Sequence, residues 1–330
     1  MSEVTQPHPY LSPPKRKRQS GLTGVELAIA LEALKNLAAK ARFELNTKAE
    51  GDRSTVLSHI EKLTALLQAR ADGPQIYSFS GMTGDLLDDL QVRFSGILKL
   101  KDDAASTAAL SDTLGNDQLW SATTLLTHLR FLENLVPRCN ESATRLWINA
   151  FFYRVSTMIP NHLKMALSVE QVVPAVTVSD NSPHTVSGFI DFTAAVMDPA
   201  KLTIFLERPV LRPDDTMLFV SEAKDVTKDL QKHVPQAVSE MLACARRAKK
   251  KIVRGVVTDG REWIYLILTL RDGDGTATYV RSDKINIGGG GGFTADHPSQ
   301  AGVSLISAIL AHWILHSHQP LDETTDFFKS

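Results

Sequence analysis

The sequence predicts a mixed α+β or α/β domain preceded by an α-helical region. Apolar residues recur at alternating spacings of four and three from Leu27 to Leu45 and again from Val56 to Leu67, the pattern of packed helices. From Asn140 the order changes to a helix, three β-rich segments, a helix and two further strands. On those strands, Asp191 and the run Glu222, Ala223, Lys224 put two carboxylates and an amine where neighbouring strands can bring them together.

A length of 330 residues allows one sizeable domain and an accessory one. With 43% hydrophobic and 22% charged residues, the composition is that of an ordinary globular protein, which argues against chain-wide disorder. The net charge of -1 provides no global basic field, so any nucleic-acid binding must rest on local patches. Cys139 and Cys244 lie far apart with no CxxC spacing, which argues against a zinc ribbon or a disulfide framework and for a reducing compartment. No run approaches the roughly 18 apolar residues of a membrane span, and the first residues lack a signal-peptide core. A soluble intracellular protein without a membrane partner is the expectation.

Residues 1–20 hold Pro7, Pro9, Pro13 and Pro14 and few apolar groups, too few to offset the entropy of ordering, and read as a disordered tail. Within it, Lys15, Arg16, Lys17 and Arg18 form a basic block suited to a nuclear import receptor or to phosphates; a plain solvated tail is the other reading. The expected location is nuclear, otherwise cytoplasmic. Residues 21–136 form the helical region. Its first seam is Leu27, Leu31, Leu34, Ala38, Ala41 and Leu45; after a polar break at Ala49 to Asp52 the second is Val56, Ile60, Leu63 and Leu67. Both are too short for a long coiled coil, so packing within the chain is favoured and a homodimer stays open. The stretch from Gly73 to Val136 contains a helix at Leu119 to Leu135 and reads as helical scaffold, with Asp85, Asp88 and Asp89 at a helix start or on a solvated face.

Residues 137–330 form the second domain. Asn140 can cap a helix to about Met158, followed by strands at Gln171 to Val178, Phe189 to Val196 and Met217 to Lys224. A helix over about Pro235 to Lys250 has Val238, Met241, Leu242, Ala245 and Ala248 on its apolar face. Strands at Ile252 to Thr258 and Trp263 to Leu270 are joined by Asp259-Gly260, a hairpin turn. Gly288 to Gly292 read as a flexible loop and Gly302 to His316 as a closing helix.

Side chains alternate along a strand, so Glu222 and Lys224 share a face. Mg²⁺ takes oxygen ligands and retains waters, so one or two carboxylates plus a substrate phosphate suffice to hold it, and a lysine beside it attracts that phosphate. The plain alternative is an exposed Glu-Lys pair worth little.

With Gly188 to Asp191 on the second strand and Glu222-Ala223-Lys224 on the third, residues 138–270 resemble the PD-(D/E)XK nuclease superfamily. The resemblance implies a restriction-endonuclease-like αβββαβ core with a mixed sheet, and a Mg²⁺- or Mn²⁺-dependent nuclease acting on DNA or RNA. It implies that Asp191, Glu222 and the carbonyl of Ala223 hold the metal, and that Lys224 orients the attacking water. Glu141 stands where many members carry a further glutamate, although an acid in a first helical turn also complements the helix dipole. Gln236, twelve positions after Lys224, stands where the following helix contributes a glutamine; Glu240 lies one turn further, and plain surface polarity is the other reading of Gln236. Two features depart from the usual pattern: Ile190 replaces a proline, and 31 positions separate Asp191 from Glu222, so Met197 to Thr216 must form an excursion. The runs Glu222 to Lys224, Gln236 to Met241 and Val257 to Trp263 are similar to nuclease domains of fungal Crinkler-type and transposon-associated proteins.

Arg246, Arg247, Lys249, Lys250, Lys251 and Arg254 cluster at the end of the second core helix, where they can meet phosphates or simply complement the helix terminus. The alternative function is a nuclease-fold module that binds nucleic acid or a protein partner without turnover. His312, His316 and His318 lack an HExxH glutamate, the glycine run lacks a phosphate-loop ending, and Ser221 lacks a histidine to activate it.

Overall fold

The computed structural model describes residues 24–45, 53–71, 75–117, 119–137, 140–179, 182–209, 217–225, 229–271, 276–288 and 297–330. The basic block at Lys15 to Arg18, Cys139 and Gly289 to Gly292 lie outside them. The chain divides into two compact units, Met1–Gly73 and Pro74–Ser330.

In the first unit, helices α1 (Gly24–Leu45) and α2 (Arg53–Ala71) pack on one another, with Leu31 and Ile60 buried. Leu63 is half exposed, so the contact stripe of α2 runs through Ile60, Thr64 and Leu67 rather than through Leu63. The Thr64 hydroxyl donates to the Ile60 carbonyl one turn back (2.7 Å), which lets a polar residue sit on that stripe.

The second unit begins with β1 (Ile76–Ser78), α3 (Gly84–Asp89), β2 (Val92–Leu100), α4 (Ala104–Leu110) and α5 (Ala122–Leu135). Next come α6 (Glu141–Met158), β3 (Lys164–Ser179), β4 (Ser182–Met197), α7 (Pro199–Glu207), β5 (Met217–Ala223), α8 (Val234–Ala248), β6 (Ile252–Thr258) and β7 (Glu262–Leu270). It closes with β8 (Ala277–Ser282), β9 (Ile285–Asn286), α9 (Gln300–Leu315) and β10 (Phe328–Lys329). Among the described residues ten strands form one mixed sheet in the order β1-β4-β5-β6-β7-β8-β2-β10, with β3 on β4 and β9 on β7. Strand β4 runs antiparallel to both of its neighbours β3 and β5, and β6 lies parallel to β5 across the α8 connection.

Two apolar layers sandwich the sheet. One holds Val238, Met241, Leu242 and Ala245 of α8 against Val220, Val257, Ile264 and Leu266. The other holds residues of α5, α6 and α9 against Phe192, Phe219, Val256 and Tyr265. The helices start on side-chain caps: Asn140 accepts from the Ala143 N–H (2.7 Å), Ser121 from Thr124 and Ser299 from Gly302. Helix α8 ends on Lys249 in the left-handed region (φ 51°), with the Lys250 N–H returning to the Ala245 carbonyl.

The predicted order of helix, three strands, helix and two strands is present as α6, β3, β4, β5, α8, β6 and β7. Three expectations are corrected. The division between a helical region and the second domain falls at residue 73, not 136. The stretch read as helical scaffold supplies β1 and β2, whose partners β4 and β8 lie 109 and 185 residues further along, so no local periodicity announces them. The β3-β4 hairpin is twice the predicted length, 16 residues per strand. The excursion between Asp191 and Glu222 contains α7, capped by Asp198 and opened by Pro199, and leaves β4 and β5 paired from Phe192↔Ser221 to Val196↔Met217. Among the described residues no helix is long and apolar enough to cross a membrane.

Candidate active site

Strands β4 and β5 pair as far as Phe192↔Ser221, and the candidate site begins one residue beyond. There the Asp191 side chain replaces the ladder: its Oδ2 accepts the Ala223 N–H at 2.9 Å. The strand changes its alternation at this point. Val186 and Ile190 pack in the α8 layer, whereas Phe192, Ala194 and Val196 pack in the opposite one. Across the hairpin, Glu170 lies between the pairs Val169↔Phe192 and Gln171↔Ile190 with a left-handed backbone (φ 54°). A bend of this kind re-aims a side chain, and it sets Asp191 at the end of the β4-β5 ladder. Gly188 is needed two residues before Ile190, because a Cβ there would lie 2.8 Å from the Phe79 ring.

On β5, Phe219 and Ala223 face one layer and Val220 the other, so Glu222 and Lys224 point toward α8. The Lys224 ammonium pairs with Glu222 Oε1. Gln236, on the first turn of α8, donates to the same Oε1 (2.6 Å) and to Glu240 Oε1 (3.1 Å). Glu222 and Glu240 are both buried, and among the described residues no N–H donor lies beside their Oε2 atoms. Burial, then the Asp191 charge, pushes the Glu222 carboxyl up to about 7 against the pull of Lys224. Burial and the adjacent Glu222 raise Glu240 well above the ordinary carboxylate range, and a proton on Glu240 can bridge the two groups. Burial alone would lower Lys224, but Glu222, Asp191 and Glu141 outweigh it and hold the ammonium above its usual value.

The residue that sequence reasoning missed is Arg145, on the second turn of α6. Its Nη2 pairs with Asp191 Oδ1 and with Glu141 Oε1 (3.0 Å), and its Nη1 with Glu170 Oε1 (2.6 Å). Its place four residues after Glu141 was the available signal, since the two share a helix face. The structure thus gathers Asp191, Glu222, Ala223, Lys224, Gln236 and Glu141 at one end of the sheet, with Glu141 reaching the centre through Arg145. Glu240 joins them from the helix face that Gln236 marks.

The basic cluster is not part of this centre. Arg246 lies ten residues along α8 from Gln236, about 15 Å at the helical rise, so the cluster sits at the other end of the helix. Arg254 is not a surface cation: it is buried, paired with Asp326 (2.7 Å) and stacked 5.0 Å from the Trp313 ring. His312 and His316 stack on each other, and His316 Nδ1 lies 2.8 Å from the His312 carbonyl.

Among the described residues no group of three or more His, Cys, Asp or Glu side chains is arranged around a metal position. The donors that Asp191, Glu222 and the Ala223 carbonyl offer are all oxygens, two of them carboxylates, and among the described residues nothing donates to the buried Glu222 Oε2. That chemistry fits a hard divalent cation, which binds through one or two carboxylates. No protein-family model matches the sequence, and no curated protein is significantly similar to it.

Proposed function

We propose that the chain is a Mg²⁺- or Mn²⁺-dependent hydrolase of phosphodiester bonds in DNA or RNA, built on a restriction-endonuclease-like core. The observation that carries the reading is the Asp191 carboxylate seated on the Ala223 N–H where the β4-β5 ladder ends, between Glu222 and the Lys224 that pairs with it. The order α6-β3-β4-β5-α8-β6 and its mixed sheet support the αβββαβ core.

In this reading Asp191, Glu222 and the Ala223 carbonyl hold the cation, which supplies positive charge to the scissile phosphate and acidity to the attacking water. Lys224 directs the water and balances charge on the phosphate, and Glu222 keeps the ammonium in place. Gln236 fixes Glu222 from the opposite side, so the carboxylate has little freedom to rotate. Import through Lys15 to Arg18 belongs to the same reading.

The test is cleavage of DNA and RNA by the purified chain with Mg²⁺ or Mn²⁺. Glu222→Gln and Asp191→Asn are expected to abolish cleavage, and Lys224→Met to slow it by about 10²–10³-fold. Equal cleavage by wild type and Glu222→Gln sinks the reading. One observation favours a binding module without turnover: Arg145 and Lys224 already neutralise Asp191 and Glu222. Nucleic-acid binding that weakens steeply with salt, without cleavage, would select that alternative.

A further inference from the structure

We infer that Arg145 is an internal counter-ion that competes with the divalent cation for Asp191, and that a cation arriving there frees its guanidinium to bind a substrate phosphate. The inference rests on the hydrolase reading above. Of the two Asp191 oxygens, Oδ2 accepts the Ala223 N–H and Oδ1 is held by Arg145. A cation using this carboxylate therefore meets the guanidinium directly, and two positive groups on one carboxylate repel.

The remaining partners of Arg145 leave it somewhere to go. Glu141 and Glu170 are far more exposed than Asp191, with 38% and 62% of their side chains accessible against 13%. They mark the rim of the site, and Asp191 its floor. Released from Asp191, the guanidinium keeps two carboxylates at the rim, where its planar fork of donors suits a phosphate as well as it suits a carboxylate. Its buried Nε has no acceptor among the described residues, so among them not all of its donors are used. A purely structural tether between α6 and the β3-β4 hairpin would need only Glu170, which Arg145 already reaches from α6. The additional hold on Asp191 is what links Arg145 to the chemistry.

The experiment is titration of the full chain with Mn²⁺, with free Mn²⁺ counted by electron paramagnetic resonance, for wild type, Arg145→Gln and Asp191→Asn. Removing the competing charge is expected to tighten Mn²⁺ binding in Arg145→Gln by about tenfold, the equivalent of one ordinary partly buried ion pair. With Mn²⁺ present, the same variant is expected to bind a nuclease-resistant phosphorothioate DNA several-fold more weakly. A structural tether predicts neither effect. If wild type binds Mn²⁺ at a site lost in Asp191→Asn but Arg145→Gln binds it no more tightly, the counter-ion inference fails and the hydrolase reading stands. If no variant binds Mn²⁺, both fall. Should Arg145→Gln not fold, Arg145→Met carries the test: it keeps the apolar stem and removes the charge, so Mn²⁺ affinity must still rise, and an unchanged affinity overturns the inference.

Discussion

Burial and the Asp191 charge push the Glu222 carboxyl up to about 7, and burial beside Glu222 raises Glu240 well above the ordinary carboxylate range. A cation needs the charged form of Glu222 and competes with its proton. Mn²⁺ affinity and cleavage are therefore expected to rise as pH increases from 6 to 8, whereas an ordinary glutamate would give a flat profile there. The same shift acts on stability in the opposite direction. Because the folded state binds the proton more tightly than the unfolded chain, the contribution is fully present below about pH 4.5 and is lost as pH rises through about 7. Glu222→Gln keeps the shape and removes the titration. In metal-free buffer its melting temperature should gain on wild type between pH 5 and pH 8, and parallel curves would show that Glu222 titrates normally.

At the scale of elements, the β6-β7 hairpin adjoins the site, the Thr258 carbonyl accepting the Lys224 N–H at 2.9 Å, and its turn depends on one residue. Gly260 has φ 81°, and a Cβ there would lie 2.7 Å from the Trp147 Cβ on α6. Gly260→Ala is expected to cost about 1–3 kcal/mol through backbone strain and the clash, read as a lower denaturant midpoint with unchanged slope. This turn was legible because Asp-Gly between two apolar runs is a local signal. So were α6, with its Asn140 cap, and α8, with its apolar face; Glu222 and Lys224 followed from alternation alone. The reversal of alternation at Asp191 was not legible, since it arises from the bend opposite Glu170 rather than from any residue type. Arg145 escaped notice because an Arg on a half-exposed helix face resembles any solvated one until the β3-β4 hairpin closes over it.

At the scale of the whole chain, residues 326–329 tie together the second unit, and here the burial of Arg254 makes a strong demand. Asp326 pairs with it at 2.7 Å and accepts the Trp313 Nε1–H at 2.9 Å, while Phe328 is buried in the core and β10 extends the sheet on β2. Burial alone would raise the Asp326 carboxyl, but His312 and Arg254 bring it down to about 2. Its contribution to stability is then present above about pH 3.8 and lost as pH falls toward 2. Asp326→Ala leaves a guanidinium buried without its counter-charge and is expected to cost about 3–5 kcal/mol. Replacing both partners, as in Arg254→Met with Asp326→Leu, should recover much of that loss. Truncations follow the same reasoning. A fragment of residues 74–330 retains every strand of the sheet and should unfold in one cooperative transition, whereas residues 137–330 lack β1, β2 and α5 and expose the apolar face that α5 covers. A soluble, cooperatively melting 137–330 fragment would show that the sheet does not need its early strands, and that the domain begins at the α6 cap.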